Sequence, residues 1–290
     1  MQVSPKDILF VAQFVQELTG VVLDETKAYL VESRLSGLAR TAGCASYQEL
    51  CQKARSSGDR RLQDQVIDAI TTHETLFFRD NSPFEALRQK VVPELVAAKA
   101  RPPARRKIRI WSAACSTGQE PYSIAMTLWD TIPDVLAWDV NILGTDISDS
   151  AVTQASLGRF SSHEIQRGMN PAMLAKFFRQ EAGGWKVKDE LRSLVSFRRC
   201  NLLDSLGGLG PFDVIFCRNV AIYFSGETRR NLFLRLADHL TPDGYLFVGA
   251  SESLSDLGPR FAPQYHGRTI HYRPNRTAKP EPVMRPVGAG

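Results

Sequence analysis

The second half of the chain alternates short apolar segments with segments of helical periodicity, and this alternation restricts the possible folds most strongly. From about residue 107 the apolar segments are rich in β-branched and aromatic residues, which favour strands. Strands and helices in alternation predict a doubly wound, mostly parallel sheet, an α/β fold of the Rossmann kind. The predicted strands are KIRIWSAA, WDVNILGTDI, LVSFRRCNL, FDVIFCRNV and GYLFVGASE, followed by an antiparallel pair in FAPQYHGRTIHYRP.

The first 90 or so residues carry helical periodicity and almost no strand signal. The predicted helices are ILFVAQFVQELTG, ETKAYLVESRLSGLARTAG, YQELCQKARSSG and LQDQVIDAITTHETLFFRD. We therefore predict an all-helical N-terminal domain in residues 1–90 and a sheet domain in residues 91–274. Residues 275–290 are rich in proline and glycine and are expected to be a disordered tail.

One segment interrupts the alternation before the third strand. MLAKFF has helical character, Gly183-Gly184 is a turn signal, and WKV followed by LVSF has the pattern of a small hairpin. We predict an inserted β-hairpin subdomain at about residues 178–198.

The residues that follow the predicted strands are the candidate site, because doubly wound sheets bind ligands outside the carboxyl ends of their strands. The first strand leads into IWSAACSTGQEPYS, where the small residues from Ala113 to Gly118 let a ligand approach the backbone. This loop lacks the glycines of a phosphate-binding loop. Glu120, in the first turn of the next helix, would repel a pyrophosphate but attract an ammonium group. Asp146 ends the second strand, where a carboxylate can bind a ribose diol.

These two carboxylates predict a nucleoside that carries an amino-acid tail instead of phosphates, and S-adenosylmethionine meets both requirements. The third strand ends in Cys200-Asn201-Leu202, which suits an adenine edge. The spacing alone leaves open a structural sheet that binds no nucleotide. The role of the segment THETLFFRD is open as well. Its pattern is that of an amphipathic helix end with Arg79 in solvent.

Five blocks in order resemble the CheR-type chemotaxis receptor methyltransferases: THETLFFR, AACSTGQEPYS, GTDIS, NLLD and FCRNVAIYF. The resemblance extends over roughly residues 5–273, and four of the blocks fall on predicted strand ends. It implies the fold of a class I S-adenosylmethionine-dependent methyltransferase, with S-adenosylhomocysteine as the product of the cofactor. The implied reaction methylates glutamate side chains on the cytoplasmic helices of chemoreceptors and gives γ-glutamyl methyl esters.

The resemblance also implies which residues bind the cofactor. They are His73, Thr75, Arg79, Ala113, Glu120, Asp146, Asn201, Leu202, Arg218 and Asn219. Asp146 would hold the ribose hydroxyls and Glu120 the methionine ammonium group, while Asn201 and Leu202 flank the adenine.

Arg79 and Tyr223 are the expected catalytic residues, which orient the glutamate carboxylate. That carboxylate is already ionised near pH 7, so positioning matters more than proton transfer. The family commonly has asparagine where this chain has His73, and an imidazole can add pH dependence near neutrality. This departure is the only support for the alternative, a degenerate homologue that binds S-adenosylmethionine or a partner without catalysis.

The net charge of +5 favours an anionic partner. Glutamate-rich receptor helices fit it, and the second helix offers Lys27, Arg34 and Arg40 as a docking face, although a solvated helix face explains these residues equally well. A nucleic-acid partner is not expected, because the chain lacks a D/N-P-P-Y motif for a flipped base.

The inserted hairpin bears on how the receptor is recruited. In some members of the family it binds a C-terminal pentapeptide of the receptor and has a longer glycine-rich loop between its strands. RQEAGGWKV is shorter, so we predict that this chain does not need the pentapeptide.

The five cysteines and five histidines are scattered and form no metal-binding pattern. Cys115 and Cys217 stand at strand ends, but no base is placed for them in the sequence, so they are expected to be small spacers. No apolar run is long enough to span a membrane, and the first residues lack a signal-peptide pattern. A monomeric cytoplasmic protein is the expectation.

Overall fold

The structure, a computed structural model, describes residues 4–24, 27–56, 60–103 and 105–275 of the chain. Most of the predicted disordered tail, residues 276–290, lies outside the described residues. In the described ranges a helical bundle precedes an α/β domain, as the sequence predicts. No helix in those ranges is both long enough and apolar enough to cross a lipid bilayer.

Within the described residues, four helices form the N-terminal bundle. They are α1 (Pro5–Thr19), α2 (Ala28–Thr41), α3 (Tyr47–Ser56) and α4 (Arg60–Ile70). Ser4 caps α1 in a capping box with Asp7, and Gly20 ends it with a left-handed backbone (φ 77°), which glycine adopts without steric cost. All four helices contribute side chains to a separate buried core, among them Phe14 and Leu35. A core of its own makes the bundle a domain.

The fourth helix ends at Ile70, so the predicted helix through THETLFFRD is wrong. Arg34, on α2, donates from Nη1 to the carbonyl oxygens of Ile70 (3.0 Å) and Thr71 (3.1 Å). The guanidinium thereby replaces the N–H groups that a further helical turn would supply. Residues 71–81 then run irregularly towards the sheet. Phe78 (φ 53°) and Asp80 (φ 66°) have left-handed backbones that a right-handed helix cannot contain.

Side chains from Phe77 onward belong to the core of the α/β domain. They include those of a continuous helical segment formed by α5 (Ser82–Ala86), a π-helical turn (Leu87–Val91) and α6 (Val92–Lys99). The core of the bundle, in contrast, includes no residue after Ile70. The predicted boundary near residue 90 therefore falls within the segment that packs in the core of the α/β domain. The chain passes from the core of the bundle to the core of the α/β domain between residues 70 and 77.

The strands of the described part follow one another along the α/β domain. They are β1 (Lys107–Ala113), β2 (Asp139–Asp146), β3 (Arg159–Phe160), β4 (Phe178–Glu181), β5 (Gly184–Val187), β6 (Val195–Arg199), β7 (Phe212–Cys217), β8 (Leu240–Phe247), β9 (Phe261–His266) and β10 (Thr269–Pro274). The remaining helices are α7 (Gln119–Thr131), α8 (Asp149–Leu157), α9 (Ser162–Gln166), α10 (Pro171–Phe177), α11 (Asp189–Arg192) and α12 (Gly226–Asp238).

Seven of these strands form the main sheet in the order β6-β2-β1-β7-β8-β10-β9. The first five strands in that order are parallel and the last two antiparallel, as predicted. Ile108 and Ile110 of β1 face one core, whereas Trp111 faces the core that contains Phe233 of α12. Both faces are therefore covered, as in doubly wound folds. Strand order reverses between β1 and β7, which makes that junction the switch point.

The inserted subdomain is a three-stranded antiparallel sheet in the order β3-β5-β4. Its hairpin pairs β5 with β4, across the turn that contains Gly183 (φ 85°). The predicted pairing of WKV with LVSF is wrong, because Val195–Arg199 pairs with β2 in the main sheet. A run without clear alternation, such as LVSF, cannot reveal from its own sequence which sheet it joins.

Candidate active site

A cleft of about 1050 Å³, including the space at its open mouth, lies at the carboxyl ends of β6, β2, β1 and β7. The loops after these strands line it together with residues 70–75, with Thr19 at the end of α1 and with Val21 just after that helix. Ten of the eleven predicted site residues line this cleft. They are His73, Thr75, Arg79, Glu120, Asp146, Asn201, Leu202, Arg218, Asn219 and Tyr223.

The loop between β1 and α7 forms the floor of the cleft. Ala114 (φ 59°) and Ser116 (φ 52°) have left-handed backbones, a conformation that costs a residue with a side chain about 1–2 kcal/mol. The N–H of Cys115 donates to the carbonyl oxygen of Thr145 at 2.8 Å, which ties the loop to β2. Strain held in this way is typical of functional sites.

Ala113 is the predicted residue that does not line the cleft. It is the last residue of β1 and is fully buried in the core, whereas Ala114 lines the cleft. Gly118 has no side chain, which allows its backbone to pack closely against α8. A Cβ there would lie 2.8 Å from the Cβ of Ala155 on α8, and φ is 98°.

Asp146 lies at the end of β2 with 7 % of its surface exposed. Its Oδ2 accepts the N–H of Ser116 at 2.8 Å, and its Oδ1 accepts the N–H of Ser148 at 3.0 Å. Burial raises the pKa of this carboxyl, although the two backbone donors act in the opposite direction. Each carboxylate oxygen has a second acceptor site, so the fixed carboxylate can still accept a pair of hydroxyl groups.

Glu120 does not face the cleft as a free carboxylate, because Arg218 is already paired with it. Its Oε1 accepts the hydroxyl of Ser112 at 2.7 Å, and its Oε2 accepts Arg218 Nη1 at 2.9 Å. The Arg218 side chain is only 1 % exposed and donates from Nη2 to Asp80 Oδ2 at 2.7 Å. With one cation between two carboxylates, this group of three side chains carries a net negative charge. The sequence does not reveal this pairing.

Arg79 lies in the left-handed turn that ends the connection between the domains. Arg218 Nη2 donates to its carbonyl oxygen at 2.8 Å, so the buried cation also fixes the backbone of Arg79. The Arg79 guanidinium donates from Nη1 to the carbonyl oxygen of Glu74 at 2.9 Å. Phe78 anchors the same turn through its N–H, which donates to Ser123 Oγ at 3.0 Å. The turn is thus fixed from two sides, and the Arg79 side chain is directed along the cleft wall.

His73 connects the bundle side of the cleft to the β1 loop. Its carbonyl oxygen accepts the hydroxyl of Ser116 at 3.1 Å. Its Nε2 lies 3.1 Å from Thr71 Oγ1, and that hydroxyl donates to the carbonyl oxygen of Ile67 at 2.8 Å. Because the Thr71 proton is used, Nε2 of His73 is the donor in this contact. Thr75 lines the cleft nearby.

Asn201 shapes the other end of the cleft. Its Nδ2 donates to the carbonyl oxygen of Leu18 at 2.8 Å, and its Oδ1 accepts the N–H of Leu203 at 3.0 Å. The amide therefore joins the end of α1 to the loop after β6. Leu202 is buried beside it and contributes an apolar wall.

Glu252 supports the loop after β7 and is a residue that the sequence analysis did not single out. It accepts the backbone N–H groups of Asn219 (2.8 Å), Ala221 (3.1 Å) and Gly249 (2.6 Å). The sequence did contain a signal, since Glu252 is the last residue of the predicted strand GYLFVGASE, which ends at the same edge of the sheet. Asp80 and Ser112 are also missed supports: Asp80 acts through Arg218, which is distant in sequence, and Ser112 acts through Glu120 on the next helix. Tyr223, at the end of the loop, is 43 % exposed at the mouth.

The two cysteines expected to be spacers are buried, Cys115 at the cleft and Cys217 at the end of β7. Burial raises the pKa of Cys115 and Cys217 well above the ordinary value, and nearby carboxylates add to the effect. A thiol in this state is a poor nucleophile. In the described part of the chain, no group of histidine, cysteine, aspartate and glutamate side chains could hold a metal ion.

The three residues of the predicted docking face are not equivalent. Arg34 is used inside the bundle, where it caps α4. Arg40 is exposed near the end of α2, and Lys27 is half-buried at its start. The structure therefore excludes Arg34 as a free docking cation.

The comparisons with known proteins agree with this architecture. A family model described as the all-alpha domain of CheR methyltransferase matches residues 6–71, and one described as the SAM-binding domain of CheR methyltransferase matches residues 73–266. Among similar curated proteins is Chemotaxis protein methyltransferase 1 of Pseudomonas aeruginosa, 44% identical over 261 residues, with 89% of this chain and 93% of that protein covered.

Two further relatives have similar coverage. Chemotaxis protein methyltransferase Cher2 of Pseudomonas putida is 44% identical over 248 residues, with 84% of this chain and 89% of that protein covered. Chemotaxis protein methyltransferase of Vibrio parahaemolyticus is 43% identical over 263 residues, with 89% and 93% covered. The two family models meet between residues 71 and 73, where the core changes. This chain belongs to the CheR methyltransferase family.

Proposed function

We propose that this protein transfers a methyl group from S-adenosylmethionine to glutamate side chains on the cytoplasmic helices of chemoreceptors. The products are γ-glutamyl methyl esters and S-adenosylhomocysteine, and the reaction takes place in the cytoplasm with the enzyme as a monomer. The observation that carries the proposal is one cleft with carboxylates from two strand–helix junctions, Asp146 and Glu120, in a chain of the CheR methyltransferase family.

The donor groups of the cleft fit S-adenosylmethionine. Asp146 offers acceptors for a ribose diol, and the apolar wall at Leu202 suits an adenine. At the other end, the group of Glu120, Asp80 and Arg218 keeps a net negative charge, which favours a cationic tail. The loop with Ala114 and Ser116 has no glycine-rich phosphate cradle.

When bound, the cofactor supplies an electrophilic methyl group on a sulfonium. The protein does not need a general base, because the glutamate carboxylate is ionised near pH 7. We assign to Arg79 and Tyr223 the orientation of that carboxylate at the mouth of the cleft. Thr19 and Val21, from the bundle side, cover the cleft and help to exclude water.

Arg218 has a positioning role beside its place in the cleft wall. It bonds Glu120 and the backbone of Arg79 at the same time. The residue that selects the cationic tail and the residue that orients the substrate are therefore held by one buried cation. This link supports a site that is organised before substrate arrives.

The short hairpin supports recruitment without a receptor pentapeptide. Two residues, Ala182 and Gly183, separate β4 from β5. We expect isothermal titration calorimetry of the purified protein with a receptor C-terminal pentapeptide to show no binding in the micromolar range. Tight binding would contradict this part of the proposal.

Transfer of a radiolabelled methyl group to purified receptor cytoplasmic fragments tests the function. The proposal predicts label that mild base releases as methanol, because a carboxyl ester hydrolyses and a methylamine does not. Label that resists base would indicate another acceptor. No label on any receptor fragment, with S-adenosylmethionine bound, would instead favour a degenerate homologue that only binds.

A further inference from the structure

Three exposed apolar residues, Val22, Ile222 and Tyr223, adjoin the lining of the cleft: Tyr223 belongs to the lining, Ile222 precedes it, and Val22 follows the lining residue Val21. We call these three residues the apolar rim. In the described residues, nine large hydrophobic side chains are exposed, and three of them belong to this rim, with exposures of 44%, 48% and 43%. Exposed apolar side chains that occur singly need no explanation, but a group beside a binding cleft is typical of a contact surface.

The rim is held by a joint between the two domains. The N–H of Val22 donates to the carbonyl oxygen of Tyr223 at 2.8 Å, and Val21 forms an antiparallel bridge with Phe224. Asn201 adds a third connection, because its amide donates to the end of α1. The rim therefore has a fixed position relative to the cleft, to which Tyr223 contributes a wall.

We propose that this rim binds the apolar flank of the helix that presents the reacting glutamate. The inference rests on the proposed function. On a helix, residues three and four positions from the glutamate lie on the same face, with Cβ atoms about 5–6 Å apart. When the glutamate enters the cleft, such a neighbour must lie against its mouth. Val22 and Ile222 make that contact apolar, whereas the lining of the cleft includes charged side chains, among them Arg79 and Glu74.

The rim would therefore select which glutamates are methylated. A glutamate with an apolar residue one turn away can bury that residue against Val22 and Ile222. A glutamate flanked there by a charge would leave the charge against an apolar surface, at the cost of its hydration.

The test is the steady-state kinetics of the Val22→Ser, Ile222→Ser double variant on a receptor fragment. Fully burying one such side chain contributes about 1.5–3 kcal/mol, and both are already half-buried, so we expect KM for the fragment to rise about tenfold. We expect kcat and the affinity for S-adenosylhomocysteine to stay as in the wild type. Leu136→Ser, Leu157→Ser is the matched control, since these side chains are 57% and 49% exposed, before β2 and at the end of α8, and neither lines the cleft.

A double-mutant cycle tests the contact itself. Replacing the apolar residue one turn from the glutamate of the fragment by serine should raise KM for the wild-type enzyme but hardly change it further for the double variant. An unchanged KM in the double variant, or an equal rise in the control, would overturn the inference while wild-type labelling upholds the function. A concentration-dependent dimer that the double variant abolishes would show a second copy on the rim and overturn it too. Wild-type protein that labels no fragment would refute the function and the inference together.

Discussion

Asp146→Asn tests whether the carboxylate at the end of β2 holds the nucleoside. The two side chains have nearly the same size, but the amide has one acceptor oxygen. Both oxygens of the carboxylate already accept a backbone N–H, from Ser116 and Ser148. The amide nitrogen of the variant must therefore face a donor or the ligand. A hydrogen bond to a charged acceptor contributes about 1.5–3 kcal/mol, so loss of one towards the ribose should weaken binding on the order of 10- to 100-fold.

Isothermal titration calorimetry with S-adenosylhomocysteine measures this change, since the product is not consumed. Asp149→Asn is the matched control, because it makes the same substitution at an exposed position in the first turn of α8. Surface substitutions of this kind change free energies by about 0.5 kcal/mol or less, so the control should bind within about twofold of the wild type. Thermal unfolding of both variants without ligand shows whether the fold is retained.

The pH dependence of binding gives an independent check. Burial raises the pKa of Asp146, so it takes up a proton at a higher pH than an ordinary aspartate. Only the ionised form accepts from both hydroxyl groups, so wild-type affinity should be full above this pKa and fall as pH decreases through it. The Asp146→Asn variant should lack that acid limb. Affinity within about twofold of the wild type in Asp146→Asn, or an equal loss in Asp149→Asn, would refute the ribose assignment.

Three further substitutions have defined outcomes. Arg79→Ala should lower kcat on the order of 10- to 100-fold through loss of a charged hydrogen bond to the substrate; near-normal turnover with normal cofactor affinity would remove Arg79 from the mechanism. Arg34→Met should destabilise the bundle by about 2 kcal/mol, because the carbonyl groups of Ile70 and Thr71 lose a charged donor; an unchanged unfolding temperature would contradict the capping role. Burial lowers the pKa of His271 from 6.5 to about 4, so wild-type stability should be full above pH 6.5 and decrease as pH falls towards 4. The unfolding temperature of His271→Phe should depend less on pH in that range than that of the wild type. An equal pH dependence of the two unfolding temperatures would refute the assignment to His271.

The sequence predicted the sheet and the position of the cleft because both follow from local patterns. Apolar strands such as β1 and β7 are recognisable one at a time, and topology then brings their carboxyl ends together. Asp146 and Glu120 could be found by their distance from a strand end alone. Ala113 differs by one position from Ala114, which lines the cleft, a normal error where a strand ends.

What the sequence could not show are contacts between distant segments. Arg218 holds Asp80 and Glu120, which are 138 and 98 positions away. Arg34 ends α4 from 36 positions away, and this long-range cap is why the predicted fourth helix was too long and why a docking cation proved structural. The pairing of Val195–Arg199 with β2 depends on tertiary context in the same way.

Identifying the residue that carries the transferred methyl group tests the proposed reaction most directly. A receptor cytoplasmic fragment incubated with the wild-type protein and S-adenosylmethionine bearing a trideuterated methyl group can be digested and sequenced by tandem mass spectrometry. The proposal predicts the added mass on glutamate side chains that share a helix face with an apolar neighbour one turn away. The added mass on lysine, on a cysteine or on no residue of the fragment would contradict it.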